Sequence, residues 1–134
     1  MDFGARKTAV WGGLLALICG CNGRDRLTFP TSADGLGPEV TITDPSQDTT
    51  VNAGPNALVS GRVVDSDGID TVYFDVQGGL TTFSPFVAHG ADTVTFQLPL
   101  TTTGLSGNTI TVSISGVNVA RLTGDTAVRN ITVQ

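Results

Sequence analysis

Apolar and polar residues alternate in short runs from Pro38 onward, and turn-forming residues separate these runs. The clearest run is 71–76, in which Val72, Phe74 and Val76 share one parity while Thr, Tyr and Asp occupy the other. Successive side chains of a strand point to opposite faces, so strict alternation is typical of a half-buried β-strand. This region shows no helical period. The pattern therefore predicts short strands joined by turns.

About seven strands are expected in all, which is a number typical of β-sandwiches. The candidate segments are of two kinds. Six are clear alternating runs, at 40–42, 59–63, 72–76, 94–98, 110–114 and 131–133, and two are small pieces, at 49–51 and 81–86. Pro85 makes the piece at 81–86 an edge or interrupted strand, because proline cannot donate to a ladder. Short strands with regularly spaced turns favour an all-β, antiparallel sandwich in which two apolar faces bury each other.

The apolar parity changes after Ile114, since Val117 and Val119 occupy odd positions. One extra residue restores the inward face, and glycine tolerates the backbone that such an insertion requires. We therefore predict a β-bulge at Ser115-Gly116.

Three stretches carry a family pattern. Pro38 to Pro45 reads Pro-Glu-Val-Thr-Ile-Thr-Asp-Pro, Gly61 to Asp65 reads Gly-Arg-Val-Val-Asp, and Gly68 to Val72 reads Gly-Ile-Asp-Thr-Val. They resemble bacterial immunoglobulin-like (Ig-like) domains, which often begin with Pro-x-Val-x-Ile-x-x-Pro. The resemblance covers nearly all of residues 38–134 and implies an Ig-like β-sandwich. Many relatives have an Asp and a Gly-Asn turn after the penultimate strand, where this chain has Gly116-Val-Asn-Val119, so we expect that connection to differ.

Residues 1–20 have the pattern of an export signal, with a positively charged start before an uncharged, largely apolar segment. That segment is too short to cross a bilayer as a helix, which takes about 20 apolar residues. Its end, Ile18-Cys19-Gly20-Cys21, resembles the lipobox of bacterial lipoproteins. The resemblance implies that Cys21 is acylated on its thiol and begins the mature chain. An ordinary secretory signal with two incidental cysteines is the alternative.

The chain thus divides into a lipoprotein signal peptide at 1–20, the lipidated Cys21 and a flexible tether at 21–37, and the Ig-like domain at 38–134. A tether of this length spans on the order of 20 Å as a random coil. Packing of Leu27 and Phe29 on the domain is the alternative. Because the signal removes one cysteine and acylation consumes the other, the core alone is expected to hold the domain without a disulfide.

The expected mature chain is acidic, since seven basic and twelve acidic side chains become five and eleven when Asp2, Arg6 and Lys7 leave with the signal. Its arginines are scattered, which disfavours nucleic acid as a partner, because such binding depends on clustered Lys and Arg. Membrane contact is therefore expected through the lipid. By resemblance to the enterobacterial sorting rule, Asn22 favours the outer membrane, since it is not the Asp that signals inner-membrane retention.

Asp65, Asp67 and Asp70 fall within six residues and are candidate Ca²⁺ ligands, because Ca²⁺ takes oxygen ligands. The EF-hand spacing is not met: Gly68 is at the fourth position from Asp65, and no Glu is at the twelfth. A turn between two strands, in which Asp caps backbone N–H groups and Gly takes a positive φ, is the favoured interpretation.

Catalysis has little support, because the sole histidine, His89, lies in a loop-like stretch and no catalytic motif is present. Tyr73, Phe83 and Phe86 are the candidate sugar-binding rings, although two Phe beside Pro85 more often close a core. We therefore expect a non-enzymatic, envelope-anchored module for protein–protein interaction, adhesion or spacing, with an unidentified envelope protein or glycan as partner and no cofactor besides the lipid. A carbohydrate-binding or Ca²⁺-dependent module is the alternative.

Overall fold

The computed structural model describes residues 31–54 and 56–134. These residues contain six β-strands and no helix. The strands are β1 (Glu39–Asp44), β2 (Thr49–Val51), β3 (Ala57–Gln77), β4 (Phe86–Leu100), β5 (Thr109–Asn118) and β6 (Ala127–Val133). Nothing in the described part of the chain is a helix long and apolar enough to cross a membrane. The predicted signal peptide, Cys21 and the tether as far as Pro30 lie outside the described residues.

β3 is the central strand, because its two halves pair with different neighbours. The first half, 57–64, pairs with β4 and, from Ser60, also with β1; the second half, 69–77, pairs with β5 and, as far as Val72, also with β4. The sheet continues from β5 through β6 to β2, and only the β2–β6 pair is parallel. The result is one curled sheet whose two layers face each other. The predicted all-β sandwich is confirmed.

The predicted strands at 59–63 and 72–76 are parts of the single strand β3, and the predicted turn between them is a crossing from one layer to the other. Gly68 has a φ of 90° there, and a Cβ added to it would lie 2.7 Å from the carbonyl oxygen of Gly90 in β4. These glycines allow both strands to bend at the same level. The small strand predicted at 81–86 is reduced to Phe86, the first residue of β4.

The inward rows of the strands form one core. Its largest members lie around Phe74, whose ring contacts Phe96 and Phe83 edge to face at centroid distances of 5.9 and 6.4 Å. The predicted inward residues that are buried are Ile42, Val59, Val63, Val72, Val94, Phe96, Leu98, Ile110, Val112, Ile114, Ile131 and Val133. Full burial of such a side chain contributes about 1.5–3 kcal/mol, so this core is the main source of stability.

The β-bulge predicted at Ser115-Gly116 is wrong. The ladder between β3 and β5 is regular through Gly116, and the register shift lies instead at Asp70 of β3. The parity does not change in β5, because Gly116 and Asn118 continue its inward row. Gly116 occupies an inward position because Pro38 packs over it, and an added Cβ would lie 2.9 Å from the Pro38 Cβ.

Gly61 allows β1 and the ring of Phe96 to approach β3 closely. A Cβ at this inward position would lie 2.2 Å from the carbonyl oxygen of Thr41 and 2.6 Å from Cζ of Phe96. Distances this short require the backbone of β1 or the Phe96 ring to move, and close-packed cores resist such movement.

We expect Gly61→Ala to destabilise the domain by about 1–3 kcal/mol through this overpacking. Ser60→Ala is the matched control, because the Ser60 side chain faces away from the core, and its effect should stay within about 0.5 kcal/mol. The free energies of unfolding in urea measure both. Equal stability of the two variants would contradict the close approach.

Asp48 joins the segment before β2 to β6. The backbone N–H of Asn130 donates to Asp48 Oδ1 and its side-chain amide donates to Oδ2, both at 2.9 Å. Arg129 lies 3.8 Å from the same carboxylate. These donors stabilise the ionised form, and the bonds from Asn130 lower the pKa of Asp48 below its ordinary value of 3.8.

The lowered pKa of Asp48 predicts a pH-dependent contribution to stability. The contribution is complete above the unfolded-state pKa and is lost as the pH falls through the lower folded-state pKa. We expect Asp48→Asn to lower the midpoint of thermal unfolding at neutral pH, with the difference from wild type shrinking below about pH 4. Asp44→Asn is the control. A difference that is constant from neutral to acidic pH would contradict the assignment.

Candidate functional site

The last part of the predicted tether contacts the sandwich. The backbone N–H of Ala33 donates to both carboxylate oxygens of Asp67, at 2.9 and 3.1 Å, and the Ser32 hydroxyl also donates to Asp67. The N–H of Leu36 donates to the carboxylate of Asp34, and the Ser32 hydroxyl, whose one proton is shared between Asp34 and Asp67, lies 3.0 Å from it; both hold the pKa of Asp34 below the usual value. Residues 32–37, which we call the docked segment, are thus held at the end of the sandwich where β3 crosses.

A second contact of the docked segment comes from Asn118, which is fully buried. Its Nδ2 donates to the carbonyl of Leu36 at 3.0 Å, and its Oδ1 accepts from the N–H of Leu122 at 2.9 Å. One amide therefore ties the docked segment to the connection between β5 and β6. Sequence analysis missed this role; the only signal was a polar residue in the inward row of an alternating strand.

The three candidate Ca²⁺ ligands lie near one another along β3, but they have separate surroundings. Asp67 binds Ser32 and Ala33, Asp70 is exposed and accepts from the Thr71 hydroxyl at 3.0 Å, and Asp65 Oδ1 accepts from the Asp67 N–H at 2.7 Å. Asp65 Oδ2 is buried with no hydrogen bond within the described residues. No three His, Cys, Asp or Glu side chains of residues 31–54 and 56–134 form a group that could hold a metal ion.

The three candidate sugar-binding rings do not share a face. Tyr73 is 46% exposed and pairs with Ser115 on the outer face of the sheet. Phe83 packs against the core, and Phe86 pairs with Val72, whose side chain points inward. Side chains of directly paired residues lie on the same side of a sheet, so Phe86 and Tyr73 belong to opposite sides.

Two shallow grooves cross the described surface. The larger, about 410 Å³, lies between the docked segment and the connection from β5 to β6, where Glu39 and Asp125 are its ionisable side chains. The smaller, about 220 Å³, lies where the chain passes from β1 to β2, beside Pro45 and Leu58. Among the described hydrogen bonds, no hydroxyl that lines either groove is paired with a basic side chain, which is the arrangement that activates a nucleophile for acyl transfer.

His89 occupies an irregular point of β4, with an exposed side chain and a φ of 53°. His89 and Gly90 both have positive φ, and together they form the bend of β4 beside the crossing of β3. A positive φ in a non-glycine residue points here to this local bend.

The predicted lipid attachment point, Cys21, lies outside the described residues.

The family of the chain follows from comparison with known proteins. The chain is similar to an engineered protein of known crystal structure, with 20% identity and a TM-score of 0.45. That match covers 72% of this chain and 20% of the engineered chain, so this chain spans about a fifth of the length of that structure. A comparison with curated proteins found no match. The family model described as Bacterial Ig domain matches residues 38–115, which is more than half of the chain, and the chain belongs to this family.

Proposed function

We propose that this chain is an envelope lipoprotein whose Ig domain is a non-enzymatic module for protein–protein interaction, adhesion or spacing. Family membership carries the proposal, because domains of this family suggest interaction or adhesion modules and are typically non-enzymatic. A rigid sandwich fixes the position of its loops, which can then bind a partner without ordering on contact. The partner in this proposal is an envelope protein.

The anchor in this proposal is the acylated Cys21, and the supporting observation is the sequence Ile18-Cys19-Gly20-Cys21 at the end of an export signal. Each buried CH₂ of an acyl chain contributes about 0.8 kcal/mol, so several chains hold a protein firmly at a bilayer. The acidic balance of the mature chain supports a lipid anchor over electrostatic attachment. Asn22 supports the outer membrane as the location.

The docked segment supports a defined orientation of the anchored domain. Eleven residue steps separate Cys21 from Ser32, so this stretch of chain reaches at most about 40 Å. The end of the sandwich that binds Ser32 and Ala33 is therefore the end nearer the bilayer in the proposed arrangement. The opposite end, with the connections 78–85 and 101–108, faces away from the membrane.

The membrane-distal connections, 78–85 and 101–108, have the character of a presenting surface. They contain no charged residue, and Leu80 is 71% exposed among Gly, Thr and Ser. The Thr101 N–H donates to the Thr81 hydroxyl at 3.2 Å, and the Gly107 N–H donates to the Val133 carbonyl at 2.7 Å. These bonds hold the connections against the sandwich, so an uncharged surface is offered with little loss of conformational entropy on binding.

We expect Cys21→Ser to abolish membrane attachment, because serine has no thiol to acylate. In fractionated cells, wild type should sediment with membranes and the variant should not. Intact-mass measurement of native wild type should give a chain that begins at Cys21 with added fatty-acid mass. Cys19→Ser is the matched control and should behave as wild type. A native chain that begins elsewhere, or that lacks the added mass, would overturn the lipid anchor.

The interaction role predicts a stoichiometric envelope protein in affinity captures of the native acylated chain from cross-linked membranes. Mass spectrometry identifies the captured protein, and a Gly61→Ala chain treated in the same way controls for capture by misfolded protein. Capture of glycan without any protein would contradict the protein-interaction role and support the carbohydrate-binding alternative.

A further inference from the structure

The outer edge of β4 is a long open strand edge. Within residues 31–54 and 56–134, β4 pairs with β3 and with no other strand. In an Ig sandwich of the constant type, the sheet with strands A, B and E carries a fourth strand, D, at the corresponding edge. Here the connection 78–85 leads from β3 to β4 and forms no strand. The place of strand D is therefore uncovered by the described chain.

The other open edges carry features that hinder strand addition. β1 has an exposed acid at each end, Glu39 and Asp44, and β2 is three residues long. The first part of β4 is irregular at His89 and Gly90, which both have positive φ. Charge, shortness and irregular backbone are the means by which proteins protect strand edges. The segment 93–98, Thr-Val-Thr-Phe-Gln-Leu, is flanked by Asp92 and Pro99, but between them it has no charge, proline or glycine and pairs regularly with β3 over six residues.

The backbone of this segment faces the open edge at every second residue. The residues of the exposed parity, which we call the edge residues, are Thr93, Thr95 and Gln97. Pro99 has the same parity and pairs with Leu58 in the same ladder. Proline has no N–H to donate, so its position is one whose backbone points away from the partner strand. Because this direction repeats every two residues in an antiparallel ladder, the edge residues also direct their N–H and C=O groups outward.

We propose that the edge residues of β4 bind an extended, neutral or basic segment of a partner protein, which is added to the sheet in the place of strand D. In a protein partner, an extended backbone is the element complementary to a row of alternating N–H and C=O groups. The sequence has twelve acidic and seven basic side chains, which disfavours an acidic segment and also a second copy of this chain. The inference rests on the proposed interaction role and does not depend on the lipid anchor.

The test uses the native full-length protein, with or without lipid, in detergent and a short synthetic peptide of alternating threonine and valine with an arginine at each end. Hydrogen exchange read by NMR reports each amide. We expect saturating peptide to slow exchange at Thr93, Thr95 and Gln97 by about tenfold or more. The same peptide with N-methylated threonine and valine amides should have no effect, because it cannot donate hydrogen bonds to the edge.

Thr95→Pro removes one outward N–H and leaves the ladder with β3 intact, so the variant should keep its unfolding midpoint and lose peptide protection. If it does not fold, the N-methylated peptide on wild type still decides. Unchanged exchange of the three amides, or protection only elsewhere, overturns the proposal and leaves the interaction role standing. Protection that grows with protein concentration in the absence of peptide assigns the edge to a second copy and also overturns it.

Discussion

The crossing of β3 from one layer to the other is the constraint on which the rest of the structure depends. A single strand supplies the centre of both layers, so its inward residues face the core on both sides of the bend. The fully buried ones are Val59, Val63, Ile69 and Val72. The bend requires backbone contact between Gly68 and Gly90, because a side chain at Gly68 would meet the carbonyl of β4. Since we expect no disulfide in the mature chain, this core carries the cohesion that a cross-link would otherwise supply.

Hydrogen bonds from polar side chains hold one end of the sandwich together, whereas apolar packing holds its centre. A buried side-chain amide is unfavourable unless its donors and acceptors are hydrogen-bonded. The Asn118 amide donates to the carbonyl of Leu36 and accepts from the N–H of Leu122. The docked segment and the connection from β5 to β6 therefore depend on the same side chain. Asp67 adds a contact with Ser32 and Ala33 from the crossing itself. The entry of the chain into the domain is thus fixed by residues far from it in sequence.

Most strands could be predicted from the sequence because each buries one face, which requires an apolar residue at every second position. The family could be predicted from the same residues, because its pattern records core and turn positions, and the family and the all-β fold class are confirmed. The continuity of β3 could not, because Asp65 to Gly68 has the local composition of a turn, and the strand is continuous through the pairing of the residues before and after it, up to Val64 and from Ile69. The β-bulge predicted after Ile114 is wrong for a related reason. Gly116 lies in the inward row because Pro38, distant in sequence, packs over it, and the local apolar pattern does not show this contact.

The candidate residues of the site illustrate the same limit. Composition grouped Asp65, Asp67 and Asp70 by their spacing, yet the partners of Asp67 are some 35 residues away along the chain, which no local pattern reveals. Likewise, alternation predicted Tyr73 as an outward ring, but the placement of Phe83 in the core depends on its contact with Phe74. Residue types identify candidate chemistry, and the topology decides which of them meet.

The open edge of β4 and the uncharged distal connections have different physical roles in the proposed arrangement. The part of β4 from Ala91, beside the crossing, to Leu100 at the opposite end has an edge that runs along the side of the domain between the membrane-proximal and distal ends. Backbone pairing along such an edge supplies affinity with little dependence on side chains. Specificity must then come from the side chains that flank the added strand. The neighbouring connections, with Leu80 exposed in an uncharged surround, are placed to provide it, because an acidic domain that binds through a neutral surface avoids the desolvation of its own charges.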